Sequence, residues 1–279
     1  MIFLVPTGTD APIYHPPIVT AVLMATNVVM HVLQFMFPGF TEMLILNYGQ
    51  IAPHRWLTAA YLHADPSHLV GNLMFLFIFG LIVEGKIGWW RFALIYNVIA
   101  ITASALITAV TYFVDGGALG ASCAIFGIMG MCFLWAPENT IHFKFFGVIF
   151  FRVFISYFDV TVQNLGFFFI AMNLAIAAFT GFRFSSEVAH LLGLLPGLLI
   201  GWAMIKTRRV NCEGYDLFSV MSGKPGKVVL TIQEEAEQDR LKKERKELRQ
   251  KELAKGIKMI SQYTDAGHYE VAFKRYQAL

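Results

Sequence analysis

In the stretch 115–130, DGGALGASCAIFGIMG, a glycine-rich loop runs into an apolar helix and carries one serine, Ser122, with it. Gly120 and Ala121 leave little side-chain bulk ahead of that serine, so a substrate carbonyl or another backbone can approach closely. Serine alone is a poor nucleophile. It needs a base to take its proton, and hydrogen-bond donors where negative charge develops on the attacked carbonyl oxygen. A candidate base stands in SSEVAHLLGLLPGLLIG, where His190 is followed by Gly193, Gly197 and Gly201. At about 100° per residue these four fall in one narrow stripe, and small residues at every fourth position let helix backbones approach closely in lipid. Ser122, Phe126 and Gly130 form a stripe of the same spacing. If the two stripes meet, hydroxyl and imidazole lie within hydrogen-bond reach. Candidate donors stand in HADPSHLVGN: His68 and Asn72, four apart on one helical face, which together with the Ser122 backbone N–H surround an oxyanion. His63, just upstream, reads as an organiser of its loop through hydrogen bonds.

Each of these residues also has a plainer reading. A lone intramembrane histidine more often links helices than does chemistry, GxSxG-like strings are common in apolar helices, and glycines spaced by four more often serve packing. The combination carries the argument: four polar residues on three helices at matching depth.

The elements that must position them lie in a bilayer. Mean hydropathy is +0.57, 56% of residues are hydrophobic and 15% are charged, far from the balance of a soluble globular protein. A net charge of +3 is too small and too spread out to argue for nucleic acid. Three cysteines, Cys123, Cys132 and Cys212, form no paired framework, so neither disulfide nor metal site is expected, and no cofactor. The N-terminal residues lack the basic n-region and small-residue cleavage site of a secretory signal, so the first helix is expected to stay.

Apolar stretches at 18–37, 67–83, 89–113, 122–136, 163–179 and 186–205 read as six membrane helices. Six spans put both termini on one side. The connections on that side hold Lys86, Arg91, Lys144, Arg152, Lys206, Arg208 and Arg209, against Arg55 and Arg183 on the other, so both termini are expected in the cytoplasm. The segment 38–66 reads as a structured outer-leaflet loop, with Trp56 and Tyr61 suited to the interface. Residues 141–162 read as an interfacial hairpin, because Lys144 and Arg152 oppose insertion. Three domains follow: an N-terminal segment 1–17, a six-helix membrane domain 18–206 and a charged cytoplasmic tail 207–279. In the tail, 234–255 is a solvated charged helix, and 257–279 reads as helix, turn, helix. It is either inert or recruits a cytoplasmic partner or lipid headgroups.

Taken together, these residues resemble the rhomboid family of intramembrane serine proteases over about 51–205. Gly120-Ala121-Ser122 is similar to its nucleophile motif, Ala189-His190 with Gly193 and Gly197 to its base motif, and His68 with Asn72 to its oxyanion motif. Arg55-Trp56 resembles the family's Trp-Arg pair in reversed order, and Glu84 a structural glutamate. The resemblance implies an all-α, six-helix membrane bundle with a helical tail, and peptide-bond hydrolysis by a Ser122–His190 dyad without an acidic third member. Its substrates would be transmembrane proteins, unwound near the outer face, with membrane lipids as surroundings and no nucleic acid. The gate would be the fifth helix and the loop 180–185. In a bacterium the location would be the inner membrane.

Two positions depart from the family pattern. Cys123 stands where glycine is usual, and Phe126 where a tyrosine often stacks on the histidine. Cys123 itself points about 100° away from Ser122 on the helix. The principal rival reading is a rhomboid-like pseudoprotease that binds membrane clients without cutting them. A transporter or proton channel, the other class, predicts paired carboxylates within spans, whereas Glu84 and Glu187 lie at helix ends.

Overall fold

The computed structural model describes residues 2–149, 152–226 and 230–277, and the chain divides into two units between residues 229 and 230. In chain order the first unit contains β1 (Ile2–Thr9), α1 (Ile18–Met36), α2 (Phe40–Leu44), β2 (Leu46–Asn47), α3 (Pro53–Thr58), α4 (Pro66–Ile87) and α5 (Trp89–Val110). It continues with β3 (Gly117–Ala118), α6 (Ser122–Trp135), β4 (Thr140–Ile149), β5 (Arg152–Thr161), α7 (Val162–Phe179), α8 (Ser186–Lys206) and α9 (Leu217–Met221). The second unit holds α10 (Ile232–Asp265), opened by a capping box between Thr231 and Glu234, and α11 (Tyr269–Gln277).

Five helices, α1, α4, α5, α7 and α8, are long and apolar enough to cross a membrane. With the shorter α6 they form the expected polytopic helical bundle. The 14 residues of α6 reach only about 21 Å at 1.5 Å per residue, less than a hydrocarbon core of about 30 Å. Such a helix is tolerable in lipid only when neighbours shield its ends. It packs against α4, α5, α7 and α8, and Ile128, Met131, Cys132 and Trp135 are fully enclosed.

Packing between α6 and α8 rests on missing side chains. A Cβ on Gly193 would lie 2.2 Å from the Cys123 carbonyl oxygen, and one on Gly197 2.0 Å from that of Gly127. The glycine stripe on α8 therefore meets Cys123, Gly127 and Met131, one residue later on α6 than the stripe inferred from sequence. Gly130 instead faces Leu194 and Leu198. The reason is steric: the glycines admit the α6 backbone itself, which leaves Ser122 beside the contact and not inside it.

At the opposite end, buried Glu84 accepts hydrogen bonds from the Val19 and Thr20 amides and the Thr20 hydroxyl. It serves as the cap that Pro17 cannot supply to α1, where an anion also complements the helix dipole.

The structure adds detail to this helical bundle. The N-terminal segment carries a strand: β1 pairs antiparallel with β4, and β4 with β5, giving a three-stranded sheet beside the helices. Ile141 and Phe143 turn into the core, while Phe154, Ile155 and Tyr157 stay exposed. The antiparallel pair β4–β5 lies where the hairpin over 141–162 was expected, with apolar residues on both faces. Arg152 begins β5, but its side chain lies outside the described groups. Trp56 and Tyr61 hydrogen-bond to Thr108 and Asn97 of α5. The stretch after α8 belongs to the first unit up to residue 229, with Val210 and Cys212 in its core, and the charged helix continues unbroken to Asp265.

Candidate functional site

Asp65 starts the site. Its carboxylate caps α4 by accepting from the Ser67 and His68 amides at 2.8 and 2.9 Å, and Pro66 occupies the first helical turn, where a missing N–H costs nothing. Hydrogen bonds from the Ser67 hydroxyl and the His68 amide hold that carboxyl below its ordinary range. The cap fixes His68 in the first turn and Asn72 one turn further on.

The Ala64 amide donates to His68 Nδ1 at 3.4 Å, which assigns the proton to Nε2. That nitrogen lies beside Gly120: a Cβ there would sit 3.0 Å from it and 3.8 Å from Asn72 Nδ2. With φ of +126°, Gly120 combines a backbone conformation and a close approach that only glycine allows. Its amide donates to the Ala59 carbonyl at 2.9 Å, and Gly117 and Ala118 pair with Asn47 and Leu46, so the glycine-rich loop is pinned to the segment 38–66.

The Asn72 amide nitrogen is buried without a hydrogen-bond partner among the described residues. A buried orphan donor is costly, and this one awaits an acceptor. Ser122 is the first residue of α6, whose N-terminus carries no side-chain cap, so first-turn amides there lack intrahelical partners. Two side-chain donors and a helix N-terminus thus converge around Gly120 and Ser122.

His190 comes from the first turns of α8. Phe126, four residues after Ser122, stacks on its ring with centroids 4.3 Å apart and planes 8° apart. Its Nδ1 lies 2.9 Å from Asn173 Oδ1 on α7. Ser122 and His190 line the same cavity of about 660 Å³, which reaches along α4 from Ser67 to Phe79 and is walled on the α7 side by Phe169, Met172 and Ile176. Among the described residues no hydrogen bond joins the serine to the histidine. Sequence reasoning placed them within reach; the structure places them on one cavity, with the imidazole tethered from its far side.

The remaining assigned residues also have places. Gly193 and Gly197 provide the close α6–α8 contact. The His63 backbone exchanges hydrogen bonds with the Gln34 side chain, and its ring packs between His31 and His68 with centroids 6.4 and 5.2 Å away. Burial, followed by the charges of those two neighbours, pushes its pKa down to about 4. Cys123 directs its thiol to the Ala189 carbonyl at 3.4 Å, inside the α6–α8 seam. Asn173 escaped sequence reasoning: a single asparagine in FFFIAMNLAIAAF has no partner at helical spacing in its own segment. Its signal was the cost of an amide within a span.

The family model for the rhomboid domain matches residues 50–207. The chain is 31% identical over 162 residues to RHOMBOID-like protein 6, mitochondrial, of Arabidopsis thaliana, an alignment covering 58% of this chain and 47% of that protein. It is 28% identical over 187 residues to RHOMBOID-like protein 1 of the same plant, covering 64% and 43% of the two chains. Against Rhomboid-like protein 11, chloroplastic, also from Arabidopsis, it is 27% identical over 172 residues, covering 58% and 56%. The chain spans about half the length of the curated relatives it matches. With more than half of its residues matched by that family model, and with the helical bundle that model implies, the chain belongs to the rhomboid family.

Proposed function

We propose that this protein is an intramembrane serine endopeptidase that cuts transmembrane protein substrates with a Ser122–His190 dyad. The observation that carries the reading is a single cavity lined by a serine at a helix N-terminus, an imidazole held on two sides, and an unpaired amide donor. The Ser122 hydroxyl attacks the scissile carbonyl while His190 Nε2 takes its proton. The resulting oxyanion accepts hydrogen bonds from His68 Nε2, Asn72 Nδ2 and the Ser122 amide. His190 then protonates the leaving amine, an acyl-serine remains, and water, deprotonated by His190, releases the second product. The serine–histidine hydrogen bond tightens when substrate fills the cavity, as such bonds commonly do.

Substrate chemistry follows from the walls. An intact helix hides its carbonyls in its own hydrogen bonds, so the segment cut must unwind before it reaches Ser122. The apolar surface of Phe169, Met172 and Ile176 suits a hydrophobic side chain, with α7 and the loop 180–185 as the gate. By the distribution of Lys and Arg both termini are cytoplasmic, which opens the cavity to the outer side and, in a bacterium, puts the protein in the inner membrane. The charged tail offers a surface for a cytoplasmic partner.

The test uses purified protein with a model transmembrane substrate. Ser122→Ala and His190→Ala are each expected to abolish cleavage; cleavage retained by either variant excludes the dyad. A second reading, a client-binding pseudoprotease, is favoured by Cys123, whose side chain stands where the family pattern has glycine. It is supported if substrate binds the unaltered protein and is never cut.

A further inference from the structure

Resting on the dyad read above, the geometry points to Asn173 as the positioning residue of His190, a third member of the constellation supplied by α7. Asn173 is 2% exposed, and its amide nitrogen donates to the Phe169 carbonyl at 2.7 Å. An asparagine amide has one donating and one accepting end. With Nδ2 committed to Phe169, Oδ1 is the end that faces His190 Nδ1 at 2.9 Å. An accepting oxygen requires Nδ1 to carry the proton, so Nε2 is left with the lone pair that a general base needs. One buried amide thus selects the tautomer, as a carboxylate does in serine hydrolases with an acidic third member.

Geometry adds a second restraint. Phe126 fixes the plane of the ring, but stacking alone leaves the imidazole free to flip within that plane. The bond to Asn173 removes the flip. The surroundings also explain the choice of a neutral partner: an aspartate here would be a carboxylate inside a span, costly without a charged partner. The titratable groups near His190 are Glu187 on its own helix, His68 on α4 and Cys123 on α6.

Because Asn173 belongs to α7, the base is held by a helix other than its own. The exposed side chains of Phe167, Phe168 and Phe179 show how much of α7 turns away from the bundle. A substrate that displaces α7 would also release the Nδ1 tether, so the state of the gate and the orientation of the base are coupled.

The experiment measures cleavage kinetics against pH for the unaltered protein, Asn173→Leu and Asn173→Asp, with Ser122→Ala and His190→Ala alongside. Asn173→Leu keeps the branched shape, though not the volume, and removes the acceptor; it is expected to lower kcat on the order of 10- to 100-fold, the scale seen when an orienting partner of histidine is lost, with KM little changed. Asn173→Asp keeps an acceptor and adds charge that favours the imidazolium; it is expected to retain more kcat than Asn173→Leu and to move the acid limb of the profile to higher pH. A purely structural asparagine would alter expression or thermal stability without moving that limb. Unchanged kcat in Asn173→Leu, or an unmoved limb in Asn173→Asp, overturns the assignment. If cleavage survives Ser122→Ala or His190→Ala, the dyad itself has failed; if those two abolish it and both Asn173 variants behave as the unaltered protein, only the positioning role has.

Discussion

At the scale of single residues, the reading depends on donors whose partners are missing. Among the described residues Asn72 Nδ2 is buried without an acceptor, and His68 Nε2 faces the Gly120 backbone; on the proposed mechanism both are paid for in the transition state. Asn72→Ala is therefore expected to reduce kcat by roughly 10²–10³, as oxyanion donors do, with little change in KM. Steady-state kinetics on a transmembrane substrate decide it, and a change confined to KM would move Asn72 to substrate binding. His63 gives a different kind of expectation. Its pKa lies at about 4, below the ordinary histidine value of about 6.5, so the folded loop holds it neutral. Above about 6.5 that contribution is complete; as pH falls from there toward 4 the unfolded chain gains the proton first and native stability drops. Thermal melts in detergent at pH 7.5 and 5.5 are expected to show this loss in the unaltered protein and a smaller one in His63→Asn. That Ser122, His190, His68 and Asn72 would line one cavity was legible because their residue types, spacing and predicted depth agreed. Asn173 was not, because its partner lies 17 residues away on another helix, and no periodicity within one segment reveals such a pair.

At the scale of elements, the seam between α6 and α8 decides where the dyad residues stand. Stripe periodicity foretold that glycines on α8 would meet α6, but it could not fix the rotation of α6 by one residue, which depends on backbone contact and not on side-chain pattern. The seam grades its own substitutions. A Cβ on Gly197 meets the Gly127 backbone at 2.0 Å, whereas one on Gly201 meets Leu134 Cδ1 at 3.2 Å and the Met131 Cα at 3.3 Å. Gly197→Ala is expected to destabilise by about 1–3 kcal/mol and to lower activity with it, since the helices must separate. Gly201→Ala needs only a few tenths of an ångström of adjustment and is expected to cost much less. Denaturation in detergent orders the two, and equal melting points would contradict the close backbone contact. The strands β4 and β5 pair where a hairpin was read from sequence, but the pairing of β1 with β4 was not legible, because the whole stretch from α1 to α6 separates them and the pairing leaves no local mark.

At the scale of the whole molecule, the first unit is closed at its basic end by contacts the sequence did not announce. Lys86, with a fully buried side chain, pairs with Glu213 at 2.8 Å and reaches the Asn211 carbonyl at 3.4 Å, while Tyr14 also hydrogen-bonds to Glu213. Removing one partner strands a buried charge. Glu213→Ala is expected to cost about 1–3 kcal/mol, below the fully buried case because Glu213 is partly exposed. Truncation after Arg209 removes these contacts and is expected to unfold the end of the bundle, whereas truncation after Val229 keeps them and is expected to leave the proposed cleavage intact; equal activity of the two truncations would show that this closure is dispensable. The pairing of serine and histidine across the cavity is read out by mass spectrometry of the membrane-embedded protein after reaction with a fluorophosphonate. One adduct is expected, on Ser122, retained in Cys123→Ala and lost in His190→Ala. An adduct on any other residue, or none on Ser122 in protein that is folded and binds substrate, would contradict it.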